Sequence, residues 1–93
     1  MSFYLYILKC ADGAYYTGHT DNLEARLYQH QTGSGGYTAS RLPVTLVFQQ
    51  SFSSREQALN AEMQIKGWSR AKKEAMMQGD WQLVSRLAKN RQA

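Results

Sequence analysis

The chain has 93 residues, 43% of them apolar and 12% aromatic. That is enough for one small domain with a modest core, and too apolar for a disordered segment. The formal net charge is +4, and no apolar run approaches the roughly 18–20 residues that a membrane helix needs.

Met1-Ser2-Phe3-Tyr4 leads directly into a strand pattern and lacks the basic and apolar regions of a signal peptide. Phe3 to Leu8 is aromatic and branched, Asp12-Gly13 marks a hairpin turn, and Ala14 to Gly18 reads as the returning strand. Alternation places Tyr4, Tyr6 and Leu8 on one face and Phe3, Leu5 and Ile7 on the other, so both faces expect cover. Cys10, the lone cysteine, can form neither an internal disulfide nor a zinc set, which fits a reducing, cytoplasmic setting.

Asp21 and Glu24 have capping-box spacing at the start of a first helix that carries Leu23 and Leu27 and ends at Gly33. Ser34-Gly35-Gly36 reads as a loop, and Pro43 precedes a third strand over 44–48. Ser53 and Glu56 give a second capping box, opening a helix to about Gly67 with Ala58, Leu59 and Ile65 on one face. Ser69 caps a basic helix through Met77, Gly79 breaks it, and Asp80 caps a last helix with Trp81, Leu83, Val84 and Leu87. Trp81, Val84 and Leu87 suit either closure of the core or a docking face.

The expected fold is therefore α+β: a small, three-stranded, mainly antiparallel sheet flanked by helices in the order β-β-α-β-α-α-α. Residues 1–93 form one domain, with 80–93 as a C-terminal helical extension. Positive charge gathers late, in Lys66, Arg70, Lys72, Lys73, Arg86, Lys89 and Arg91 against Glu74 and Asp80. Such a bias suits a phosphate-rich partner and equally a solvated helix.

Three features suggest chemistry. Arg26 and His30, four residues apart, share a helix face with Asn22. That stripe is either ordinary surface or the partner of a tyrosine hydroxyl at the sheet, and a planar guanidinium also suits a phosphate. Glu62 falls on the inward face of its helix, where it either pairs with Lys66 or Arg26 or serves as an oxygen ligand for Mg²⁺. Tyr6 and Tyr16 are either core aromatics or members of the same site.

In order and spacing, Tyr4-Leu5-Tyr6, Tyr16-Thr17-Gly18, Arg26 and Glu62 resemble the GIY-YIG nuclease domain over residues 3 to about 77. The strings Tyr6-Ile7-Leu8-Lys9-Cys10, Tyr16-Thr17-Gly18-His19-Thr20 and Lys66-Gly67-Trp68-Ser69-Arg70 are similar to its small stand-alone bacterial branch. The resemblance implies a metal-dependent endonuclease acting on DNA phosphodiesters, with RNA as the alternative nucleic acid and damaged or branched DNA as a candidate substrate. Glu62 would hold one Mg²⁺ or Mn²⁺, and Arg26 would bind the phosphate and the charge that develops on it. Tyr6 would be the general base, with Tyr16 supporting it or replacing it and Gly18 allowing close backbone approach. A free tyrosine titrates near pH ~10, so Arg26 and the metal would have to lower that value, or His30 would take the proton.

The chain departs from the family pattern at Tyr4 and Thr17, which stand where the motif has glycine and isoleucine, and it offers no match for a late asparagine. With no second DNA-binding domain, the grip on nucleic acid falls to Arg41, Lys66, Arg70, Lys72 and Lys73, through phosphates. A nucleic-acid-binding module without turnover is the alternative function, and a protein-interaction domain using the last helix is another.

Overall fold

The computed structural model describes residues 2–33 and 36–90. Its elements are β1 (Phe3–Lys9), β2 (Tyr15–Thr20), α1 (Leu23–Gln31), a short 3-10 turn (Gly36–Thr38), β3 (Thr45–Phe52), α2 (Arg55–Lys66), α3 (Arg70–Met77) and α4 (Trp81–Asn90). This is the expected α+β order. Residues 34 and 35 of the expected loop, and residues 91–93 with Arg91, lie outside the described residues.

β1 is the middle strand, in the order β2-β1-β3, and both pairings are antiparallel. Gly13 at φ +87° makes the turn from β1 to β2, where a side chain would be strained, and Asp12 Oδ1 accepts from Ala14 N at 3.0 Å. β3 runs longer than expected, through Gln49-Gln50-Ser51 to Phe52. Pairing with Phe3 to Tyr6 of β1 carries it past the apolar run, and its polar residues face solvent at the sheet edge. The register slips by one residue between Ile7 and Leu8.

The alternation in β1 divides the interior in two. Tyr6, Leu8, Cys10 and Val44 are buried on one face, against Leu23 and Leu27 of α1. Leu5 and Ile7 are buried on the other, with Ile65 of α2, Ala75 and Met76 of α3 and Val84 of α4. Val84 and Leu87 therefore close the core, whereas Trp81 is 55% exposed. Leu59 departs from the inward face assigned to it and is partly exposed, while Ala58 and Ile65 are buried.

Two helix starts differ from expectation by one residue. Asn22 rather than Asp21 caps α1, accepting from Ala25 N at 3.1 Å, and Asp21 instead pairs with Arg55 at 3.1 Å. Ser54 rather than Ser53 caps α2, accepting from Gln57 N at 3.2 Å. In each pair both residues can cap, and the strand end fixes which one takes the extended-to-helix step. Ser69 and Asp80 cap α3 and α4 as expected.

Candidate active site

Tyr6 sits in the middle strand directly opposite Gly18 of β2. A Cβ at position 18 would lie 2.7 Å from the Tyr6 hydroxyl oxygen and 3.1 Å from Cε2 of Tyr16. Glycine is therefore required here by a side chain crossing the backbone. The Tyr6 ring, almost fully buried, ends in a hydroxyl that reaches α1.

There Arg26 Nε donates to the Tyr6 oxygen at 3.3 Å, and Nε2 of His30 lies 2.9 Å from it. His30 Nδ1 is in turn 2.7 Å from Thr38 Oγ1. The helical spacing of Arg26 and His30 thus serves one tyrosine oxygen, and His30 is fully buried rather than part of a solvated stripe. Tyr16 packs at the same place, with ring centroids 5.0 Å from His30 and 6.2 Å from Tyr6. Tyr37 stacks on Tyr16 at 5.8 Å, and the Arg41 guanidinium lies 4.1 Å over Tyr37.

Burial pushes the Tyr6 pKa up to about 12, outweighing the Arg26 hydrogen bond, while the charges of Tyr16 and Glu62 add to the rise. In this state the lowering by Arg26 is smaller than the rise from burial and does not bring Tyr6 toward neutrality. Burial, and then the Arg26 charge, hold His30 below its ordinary value, so its imidazole is neutral near pH 7.

Glu62 approaches from α2 on the other side of the sheet. Its Oε1 lies 2.6 Å from His19 Nδ1, and its Oε2 is 3.1 Å from Lys66 Nζ. His19 follows Gly18 in β2, so its side chain points to the opposite face from Tyr6. Burial alone would raise the Glu62 carboxyl, but its contacts with His19 and Lys66 prevail and hold it below the usual range. The expected Lys66 partner is present.

Among the described residues no three His, Cys, Asp or Glu side chains gather as a metal cage. A single carboxylate still suits Mg²⁺, which keeps most of its waters, and a carboxylate offers about four acceptor sites, more than His19 and Lys66 use. Glu62 thus fits a divalent ion in kind.

The proposed nucleic-acid contacts divide. Lys72 is 8% exposed, with its ammonium 4.2 Å over the Trp68 ring, so it does not stand on the surface as expected. Its long apolar stem lets a charged residue cover an aromatic. Arg70 lies over Tyr15, donates to Gly13 O at 2.7 Å and pairs with Glu74 at 3.3 Å, while Arg41 pairs with Asp12 at 3.1 Å. Lys66 supplies the positive charge beside Glu62, and Lys73 lies near enough to Lys66 to feel it: burial first, then the Lys66 charge, lowers the Lys73 pKa.

Sequence reasoning did not give roles to His19, Thr38 or Tyr37. For His19 the strand alternation carried the signal. Thr38 and Tyr37 lie in an irregular segment, where no periodicity points to a partner.

The GIY-YIG catalytic domain model matches residues 2–75, ending before α4. UPF0213 protein SH2523 of Staphylococcus haemolyticus is 47% identical over 76 residues, covering 81% of this chain and 93% of the relative. A UPF0213 protein of Lacticaseibacillus paracasei is 44% identical over 78 residues, covering 83% and 88%. Among solved structures, UPF0213 protein BH0048 of Bacillus halodurans is 42% identical with a TM-score of 0.56, over 84% of each chain. Protein EF2693 of E. faecalis is 33% identical with a TM-score of 0.61, over 85% of each. With the motif tyrosines, Gly18, Arg26 and Glu62 all inside the matched span, the chain belongs to the GIY-YIG family of nuclease domains, among the small proteins related to UPF0213.

Proposed function

We propose that the chain is a metal-dependent endonuclease that hydrolyses phosphodiester bonds in DNA, with branched or damaged DNA as its preferred substrate. The observation that carries this is the convergence of Arg26, His30 and Tyr6 on one oxygen above Gly18, with Glu62 near enough for its charge to act on Tyr6. Arg26 uses its Nε on Tyr6 and one terminal nitrogen on Gln29. The rest of its N–H fork suits a phosphate oxygen and the charge that grows there in the transition state.

Glu62 would hold Mg²⁺ or Mn²⁺, which when bound supplies positive charge for the scissile phosphate and the leaving oxygen. The Tyr6–His30 pair handles the proton of the attacking water, and Tyr16 packs the pair in place. Lys66 and Lys73 would attract the DNA backbone, so binding is salt-dependent and weakly selective for sequence.

One observation favours a second reading. Both oxygens of Glu62 have protein partners, so the carboxylate also has a structural role, the one it would keep in a nucleic-acid-binding module without turnover. Labelled single-stranded, duplex, nicked, flapped and branched DNA, and RNA, would be incubated with Mg²⁺, Mn²⁺ or EDTA. Wild type would be compared with Glu62→Ala and Tyr6→Phe. Metal-dependent cutting lost in both variants supports the nuclease. Equal binding by all three with no cutting refutes it in favour of the binding module.

A further inference from the structure

The two partners of Glu62 differ in kind. Lys66 sits one turn along the same helix and its side chain is 54% exposed, so its contact at 3.1 Å is an i,i+4 surface pair, weak and screened by solvent. His19 comes from β2, 43 residues away in sequence, and its side chain is 23% exposed. At neutral pH the Glu62 carboxylate is ionised and can only accept, so the hydrogen in the 2.6 Å contact belongs to His19 Nδ1. This bond also makes a link that Lys66 cannot: it ties α2 to the strand that carries Gly18. Gly18 is held closely under the Tyr6 ring. His19, the next residue, therefore has a fixed place relative to Tyr6, and so has the carboxylate oxygen it holds.

We propose that His19 is a positioning residue for the divalent ion: its Nδ1–H holds Oε1 of Glu62, and Oε2 is the oxygen offered to the ion as Lys66 gives way. The proposal rests on the reading of Glu62 as the carboxylate that takes the ion, and adds the residue that aims it. While Nδ1 carries its hydrogen it has no lone pair to give, so through that atom His19 orients the ligand and is not one itself. Without a partner on the sheet, the side-chain torsions of a glutamate would spread its oxygens over several positions. An ion held by few protein groups depends on the hydrogen bonds that orient them. Lys66 brings a positive charge to Oε2 in the ion's absence, and its flexible stem lets it move aside.

The test follows Mg²⁺ binding to the full nitrogen-15-labelled chain near pH 7.5, without nucleic acid, through the amide shifts around Glu62. Broadening by Mn²⁺ places the ion, and Glu62→Ala identifies the binding that belongs to this carboxylate. His19→Ala should weaken that binding by about 10-fold or more. His19→Asn puts an amide N–H near the place of Nδ1 and should stay within about threefold of wild type. His19→Gln, whose amide reaches toward the place of Nε2, should bind like His19→Ala. Asparagine is a poor strand former, so this ranking runs against what stability alone would give. In the Mg²⁺-loaded wild type the His19 imidazole should keep its hydrogen on Nδ1. Wild-type affinity in His19→Ala, or equal affinities in His19→Asn and His19→Gln, overturns the proposal. So does an Nδ1 that loses its hydrogen when the ion binds, or a wild type without Glu62-dependent binding. Should His19→Ala fail to fold, the Asn and Gln variants and the imidazole spectrum still decide. A wild type that shows this ranking yet cuts nothing supports the proposal and sinks the nuclease reading alone. Metal-dependent cutting with unchanged Mg²⁺ affinity in every His19 variant sinks the proposal alone.

Discussion

Gly18→Ala probes the tightest point of the site. The backbone at 18 is not in the left-handed region, so the penalty is purely steric. The new methyl would stand 2.8 Å from Tyr6 Cζ and 2.7 Å from its oxygen. Ordinary carbon contacts need about 3.5–4.0 Å, so the ring must retreat by roughly 0.7–1 Å. A shift of that size stretches the 2.9 Å contact with His30 and the 3.3 Å bond from Arg26 beyond useful range. Overpacking costs about 1–3 kcal/mol and a lost hydrogen bond about 1 kcal/mol, so about 2–4 kcal/mol of stability should go. For a domain of this size that lowers Tm by about 10–30 °C. If the proposed nuclease function holds, displacement of Tyr6 by about 1 Å also predicts a loss of cleavage of order 100-fold. Circular-dichroism melts give the first number and the DNA panel the second. Gly67→Ala is the matched control: its nearest neighbour would be 3.6 Å away, and its φ of −81° accepts alanine, so it should be neutral or slightly stabilising. A Gly18→Ala protein within about 0.5 kcal/mol of wild type would refute the close-approach account.

Two further outcomes follow from buried polar groups. Thr17 Oγ1 is buried without a hydrogen-bond partner among the described residues, so Thr17→Val should be neutral or stabilise by about 1 kcal/mol in urea unfolding; a loss of stability would reveal a hydroxyl contact. His30 has a lowered pKa in the fold, so the unfolded chain binds its proton first as pH falls. Its contribution is intact above the ordinary value of 6.5 and is lost as pH drops through the lower folded value. Unfolding free energy measured between pH 7.5 and 5 should therefore decline, and the decline should shrink in His30→Gln; identical slopes in the two proteins would contradict it.

The parts of the site that follow a period were legible in the sequence. The two-residue period of β1 separated Leu5 and Ile7 from Tyr6 and Leu8, and the structure finds each pair in its own core. The four-residue step from Arg26 to His30 brought both to Tyr6, because a helix face sees one strand position at a time. Contacts set by chain packing were not legible. Thr38 meets His30 through a turn without periodicity, and Lys72 is buried because Trp68 happens to offer its stem a surface. β3 extends through glutamines because β1 supplies hydrogen bonds there, whatever its side chains favour.

The edge position of β2 explains how one small sheet serves both halves of the site. Gly18 and His19 are consecutive, so they face opposite sides: Gly18 lies under Tyr6, and His19 meets Glu62 from α2. A central strand would hold those halves apart behind a neighbour, whereas the edge position lets them act on one phosphate in the proposed nuclease reading. The coupling is already visible, since the Glu62 charge helps to raise the Tyr6 pKa. Glu62→Gln should therefore move the Tyr6 titration downward from about 12, by less than burial moved it upward, since burial is the larger cause. A divalent ion held by Glu62 should move it in the same direction, because it opposes the same charge. Carbon-13 NMR at Tyr6 Cζ through an alkaline titration measures both shifts. An unmoved midpoint in folded Glu62→Gln would mean that the two faces are electrically separate, and a single site shared across β2 would no longer be tenable.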